Sequence, residues 1–467
     1  MALASAAHAA PAAPPCVAPV CGATAATAHP LGGQVVSGSA GITQLGNVTD
    51  IRQFSSDVSI AWLSFNVGSQ ATVDFLQPSA SSVAVNRIAG TNGSEILGHL
   101  EANGQVYLIN PNGIIFGPDA EVNVGGLVAS TLGVSSSASS ASAQSFAGNG
   151  TGGIVNQGAI TAATGGYVAL IGNRVSNQGV ITAQLGTVGL GAGSAVTIDF
   201  SGNRLVHLQV DQSTLNNLAA NNQLIEADGG LVVMTAGAQR SLLASVVNNR
   251  GIIEARTVTN HDGTIELLGG MTAGTVNVGG TLDASAPDGG NGGFIETSAA
   301  QVKVADAAKV TTVAARGLTG SWLIDPQDFT IAPSGGDITG AALSSELGTT
   351  SVSLQSSQGA NAGTDSINVD DTVSWNANTL TLTAANNINV NALMAPTGSA
   401  SLALNPSTAN GADAAVAGGT VVMGLNGNGF TGMVNFSGTG TLSINGTPYT
   451  VINSLGVPGS TTGTDLQ

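Results

Sequence analysis

The chain has 467 residues, of which 66 are Gly and 15 Pro; 42% are apolar, 8% charged and 3% aromatic. Collagen needs Gly at every third position, disorder pairs high charge with low hydrophobicity, and long helices need Lys, Glu and Arg, so all three classes are excluded. Ten basic against 27 acidic residues give a net charge of −17, and only Lys303 and Lys309 are lysines. A nucleic-acid partner, which requires a basic face for phosphates, is excluded, and an anionic membrane surface is disfavoured. What remains is a chain of many short strands and turns.

Residues 1–30 read as a leader. Ala7-His8-Ala9 has the small-x-small form of a signal-peptidase site without a basic or strongly apolar segment ahead of it. It is either the stub of a signal peptide or part of an Ala/Pro-rich disordered leader. Cys16 and Cys21 are the only cysteines, and no further Cys or His follows at metal-site spacing. They form either a small-loop disulfide in an oxidising compartment or a pair of dispensable thiols. No run of 18 apolar residues exists anywhere, so no membrane span is expected.

Residues 31–133 are richer in long apolar side chains and less regular, as an N-terminal cap and first coils would be. Val134–Gly153 is a Ser/Ala/Gly tract expected to be a surface loop. Its Gly148-Asn-Gly150-Thr-Gly-Gly153 matches G-x-G-x-x-G, but in a chain this glycine-rich about one match arises by chance, and no βαβ unit surrounds it.

From about 154 to 300 the chain repeats itself. Asn156-Gln-Gly158-Ala-Ile160-Thr-Ala162 returns as Asn177-Gln-Gly179-Val-Ile181-Thr-Ala183 and as Asn249-Arg-Gly251-Ile-Ile253-Glu-Ala255. Weaker copies end at Ala102, Ala227 and Ala284. From Ala162 the terminal alanines step by 21, 44, 28 and 29 residues, and 44 is close to two units. Each copy from Ala162 on precedes a Gly-led second strand, such as Gly165-Gly-Tyr-Val168-Ala-Leu170. Apolar residues two apart mark one buried face, and Asn and Gly suit the corners. A unit of 20–30 residues cannot bury its own apolar face, but stacked units bury a continuous core and pair each strand with its equivalents. This predicts an all-β parallel β-helix with an N-terminal cap and extra-helical strands or loops. About 18–20 coils at ~4.8 Å each would make a rod of about 90–100 Å. Residues 301–330 continue the helix with Gly320-Ser-Trp322-Leu-Ile-Asp-Pro326, and 331–467 is a more degenerate strand-rich stretch. The chain is expected to continue past Gln467 into an adhesive or ligand-binding region.

The block Asn110-Pro111-Asn112-Gly113, with Trp62-Leu-Ser-Phe65-Asn66, Gln77-Pro78, Asn86-Arg87-Ile88 and Leu127-Val-Ala-Ser-Thr131, carries a family resemblance. It closely resembles the secretion domain of two-partner-secretion exoproteins, the filamentous-haemagglutinin family of Gram-negative bacteria, which includes large adhesins and haem-acquisition exoproteins. The resemblance covers roughly 31–330 well, Gly320–Pro326 looking like a segment common downstream in the family, and 331–467 loosely; it assigns 31–300 to the secretion domain. It implies a right-handed parallel β-helix, export through the periplasm, and recognition by a dedicated outer-membrane transporter with POTRA domains and a barrel. It also implies a final location in the medium or at the cell surface. The family's Asn-Pro-Asn-Leu motif has no counterpart here. On the residues alone, Asn110–Gly113 is a tight turn: Asn110 caps it, Pro111 presets φ, and Asn112-Gly113 tolerate positive φ. Asn86, Arg87, Asn110, Pro111, Asn112 and Gly113 are therefore the candidate secretion signature, as a turn between coils, as transporter contacts, or as both.

No catalytic constellation stands out. His8, His29, His99, His207 and His261 are scattered, and neither G-x-S-x-G between strand and helix nor a P-loop is present. Asp288-Gly-Gly-Asn-Gly-Gly293 hints at a calcium turn but lacks the nonapeptide repeat, Asp370-Asp371 is isolated, and Trp62, Trp322 and Trp375 read as packing residues. No cofactor or metal is expected. The expected function is a secreted, adhesin-like exoprotein, not an enzyme, whose extracellular ligand would be bound by a region beyond this chain. A haem-binding or haem-carrier-binding exoprotein of the same family is the alternative. A β-helical polysaccharide enzyme would need clustered acids in a groove, and an autotransporter passenger its own C-terminal barrel.

Overall fold

The structure is a computed structural model that describes residues 24–134, 143–199, 206–212, 217–237, 245–356, 365–406 and 419–450. Cys16, Cys21 and His8 lie outside the described residues. The chain coils into a parallel β-helix whose turns present three faces. Among the described residues the largest sheet has 16 strands, from Gln34–Ser37 to Thr447–Tyr449; the other faces carry an 8-stranded and an 11-stranded sheet. The first and last strands of the large sheet pair antiparallel, and the fourteen between them are parallel. Fourteen coils at ~4.8 Å each make a rod of about 65 Å, shorter than the sequence implies.

The repeat frame holds residue by residue. Ile160, Ile181, Ile225, Ile253 and Leu282 stack in register, all buried. Along the corner of each repeat runs a file of fully buried asparagines. Asn156 Nδ2 donates to Asn177 Oδ1 at 2.8 Å, Asn177 to Asn221 at 2.9 Å, and Asn221 to Asn249 at 2.9 Å. Each amide also bonds backbone at its own corner, so these buried polar groups are satisfied. Asn221 escapes the sequence repeat because Gln223 stands where the other copies have Gly.

The 44-residue step is not two units. Asn177 pairs directly with Asn221, so it is one coil enlarged by an excursion. That excursion and an earlier one build a small antiparallel sheet outside the helix, from Gly133–Val134, Ala143–Ala147, Ala195–Asp199 and His207–Gln212. Part of the tract expected to be surface loop is therefore strand: Phe146 is fully buried, and among the described residues of the tract Gly148–Gly153 is coil. The small sheet covers the outer face of the large one. It packs Phe146, Val196, Ile198 and Leu208 onto Tyr107, Val128, Tyr167, Ile171 and Val233. This explains why Tyr167–Gly172, Thr187–Ala192 and Leu231–Ala236 are buried on both faces while other strands of the same sheet alternate. At Gly189 a Cβ would stand 2.5 Å from a Leu208 methyl, so a side chain there would displace the Leu208 side chain.

Two further departures matter. Residues 24–31, expected in the leader or at its end, are tied to the first coils. Ala26 O and Ala28 O accept from Gln70 N and Gly68 N, Leu31 bridges Ser64, and the Thr24 hydroxyl bonds the Glu95 carboxylate. Further along, Trp322 in Ser321–Asp325 is buried and donates to Thr297 Oγ1 at 3.1 Å. The third strand of that coil is replaced by a helix, Gly340–Glu346, begun by Thr339 as N-cap. It splits the third face into the 11-stranded sheet, which ends at Lys309–Thr311, and a short sheet that starts at Val373–Trp375.

Candidate secretion-signature site

The signature turn sits between Gln105–Ile109 and Ile114–Phe116. Asn110 O accepts from Gly113 N at 3.1 Å, closing a β-turn, and Asn110 Oδ1 accepts from Asn112 N at 3.0 Å, an Asx turn within it. The Asn110 side chain is fully buried, and its Nδ2 donates to Asn92 O and Ser94 Oγ, both at 3.0 Å. Asn110 is thus spent on the preceding coil. Gly113 has φ +118°, a conformation other residues rarely adopt. The following coil closes from the other side, with Gly152 N donating to Pro111 O, and a Cβ on Gly152 would lie 2.2 Å from Gly113 N. The chance-level glycine motif at 148–153 therefore supplies the bed of the turn.

What the turn shows to solvent is Pro111 and Asn112, both exposed; Asn112 Nδ2 reaches Gly90 O at 2.9 Å. Alternation separates the other pair. Asn86 points inward, fully buried, and accepts from Trp62 Nε1 at 2.9 Å. Arg87 points outward, half-buried, and donates through Nη1 to Val134 O of the small sheet at 3.4 Å. Burial pushes its pKa down. Asn86 and Asn110 thus share the interior, and Arg87, Pro111 and Asn112 belong to the surface. Gln77, another residue of the resemblance, is also a buried corner group that donates to Gln53 Oε1, Ser82 O and Gln105 O.

Beneath the small sheet Tyr107 and Tyr167 meet hydroxyl to hydroxyl at 3.1 Å, and Tyr167 donates to Gln105 Oε1 at 2.7 Å. Burial pushes the Tyr107 phenol up to about 12 and raises Tyr167 well above its ordinary value. The third face carries a cluster of charged groups. Arg256 holds Asp228 with two nitrogens and lies within ion-pair reach of Glu226 and Glu254. The Asp228 hydrogen bond raises the Arg256 pKa, so this is a fixed ion-pair knot. Asp50, Asp74 and Glu101 stack in register, and burial first, then the two neighbours, raises Asp74. Asn291 Oδ1, in the glycine turn that hinted at calcium, accepts from Leu318 N. Among the described residues no group of three His, Cys, Asp or Glu is placed to hold a metal, and no helix is long and apolar enough to cross a membrane.

The fold has counterparts among known proteins. The crystal structure of the HMW1 secretion domain from Haemophilus influenzae superposes with a TM-score of 0.61 at 23% identity, covering 89% of this chain and 100% of that one; it shows a shared fold. A heme/hemopexin-binding protein of Haemophilus influenzae (strain ATCC 51907 / DSM 11121 / KW20 / Rd) is 35% identical over 263 residues, 53% of this chain and 28% of that protein. A second Haemophilus influenzae heme/hemopexin-binding protein is 51% identical over 81 residues, 17% of this chain and 9% of its own length. The chain matches 28% and 9% of the length of these two curated relatives. Residues 26–284 match the TPS secretion domain, more than half of the chain and all of the signature, so the chain belongs to the TPS, or two-partner-secretion, secretion domain family.

Proposed function

We propose that this chain is the secretion-directing part of an adhesin-like surface exoprotein of a Gram-negative bacterium. It passes the periplasm and is recognised by a cognate outer-membrane POTRA and β-barrel transporter. The observation that carries this reading is the division within the signature: Asn86 and Asn110 are consumed inside the fold, leaving Arg87, Pro111 and Asn112 at the surface. A transporter contact uses exposed Pro111 and Asn112 and half-buried Arg87; folding uses the buried two.

The test is co-expression with the transporter encoded beside the gene, scoring release to the medium. The parent is released, Asn110→Ala loses both stability and release, and the double variant Pro111→Ala/Asn112→Ala keeps its unfolding midpoint while release falls. Retention of the parent in the periplasm overturns the assignment.

A second reading has its own support in the two relatives named as heme/hemopexin-binding proteins: the exoprotein serves haem or haem-carrier capture. Retention of hemin or hemopexin by the full-length secreted protein supports it, and absence of binding by that protein removes it.

A further inference from the structure

The helix Gly340–Glu346 occupies a strand's place, and side chains seal it on both edges. Toward the 11-stranded sheet, Glu346 Oε2 accepts from Val310 N at 2.6 Å and Thr349 Oγ1 donates to Val310 O at 2.9 Å. Two side chains thus supply the pair of bonds that another strand's backbone would supply. Toward the short sheet, Asp371 Oδ2 accepts from Gly340 N at 2.8 Å and Ser344 Oγ accepts from Ser374 N at 2.9 Å.

The seam at Val310 differs in kind from the backbone rungs elsewhere in the rod. Those bonds join neutral amides, whereas this one hangs on the carboxyl of Glu346, a residue 6% exposed. The ionisable groups on the surrounding elements are Lys309, Asp306, Asp337 and Asp371. Asp306 accepts from Thr339 Oγ1, Asp337 pairs with Lys303, and Asp371 caps Gly340. Among the described residues none of them bonds Glu346. Burial holds its proton up to about 7, with the Val310 amide pulling the other way.

We propose that the coil of residues 321–350 is a pH-responsive joint, at which ionised Glu346 leaves the edge strand Lys309–Thr311 and loosens the third face there, while the large sheet and the bond from Thr312 N to Thr349 O keep the coils stacked. A protonated carboxyl still accepts from Val310 N. An ionised one, buried without a cation, has one amide bond to offset its lost hydration and moves to water. Because the folded state holds this proton between about 4.5 and about 7, the seam is tightest at acidic pH and weakens as pH rises through that window. The joint lies beyond residue 284, where the family match ends.

Hydrogen–deuterium exchange on the whole chain, corrected for intrinsic rates, tests this. Protection of peptides covering 305–315 is expected to fall about ten-fold between about pH 6 and about pH 8, while peptides covering 181–192 stay constant. Glu346→Gln, which keeps an acceptor but does not ionise, is expected to abolish the step. Thr349→Val keeps the carboxyl and is expected to lose protection at every pH while retaining the step. The proposal is overturned by constant protection of 305–315 in the parent, by an equal fall in the 181–192 peptides, or by an unchanged step in Glu346→Gln.

Discussion

Trp62 Nε1 donates to Asn86 Oδ1 at 2.9 Å across neighbouring strands, with both side chains buried. An interior indole needs an acceptor, and Asn86 also donates to Ala84 O and Tyr107 O, so one side chain ties three rungs together. Asn86→Leu leaves the indole and the Tyr107 carbonyl without this partner. The expected loss is about 1–3 kcal/mol in equilibrium denaturation, with release falling in step with stability.

The asparagine file gives a sharper case, because its inner members Asn177 and Asn221 each serve two neighbours. Asn177→Val strips a partner from both Asn156 and Asn221. Denaturation is expected to show a loss of about 2–4 kcal/mol. Asn123→Ala, whose amide bonds only the exposed Glu101 carboxylate, should stay within about 0.5 kcal/mol of the parent.

At the signature turn, Gly152→Ala places a methyl against the Gly113 amide, which is backbone and cannot swing aside. The cost is about 1–3 kcal/mol, read as a lowered denaturation midpoint. An unchanged midpoint would show that the two coils are not in this register.

Alkaline titration reports the small sheet. In the folded chain Tyr107 keeps its proton up to about 12 and Tyr167 beyond its usual range, whereas unfolded tyrosines release theirs near 10. Unfolding therefore releases protons between about pH 10 and 12, and stability falls as pH rises through that interval. Near-ultraviolet titration of the native chain is expected to show two of the three tyrosines ionising only as it unfolds. In Tyr107→Phe one late phenol remains.

The coil frame was legible because Ile160, Ile181 and Ile253 recur with Asn and Gly at fixed offsets, and stacking demands the same residue at the same corner. Asn221 was hidden by Gln223, and the small sheet was hidden because its strands come from two excursions whose pairing leaves no local period. Continuous apolar runs such as Leu231-Val-Val-Met234 were its trace, since a strand covered on both faces stops alternating. The helix gave no helical period, as seven residues with Gly340, Ser344 and Ser345 barely complete two turns. The signature was legible as a turn at Asn110–Gly113. Its division into interior and surface was not, because strand alternation around Asn86 and Arg87 fixes a side only once the core is known.

Consider how the small sheet is stitched. Ala143–Ala147 has its long partner in Ala195–Asp199, about fifty residues later, and Leu208 of the strand after that covers Gly189. A chain appearing from its N-terminus can wind the coils at Tyr107 and Tyr167 long before their outer face has a cover. Until about residue 212 is free, Phe146 and the face beneath it stand wet. The smallest self-contained piece of this protein is therefore set by its side sheet, and a fragment cut between coils at 192 would be sticky where one cut after the excursion would not.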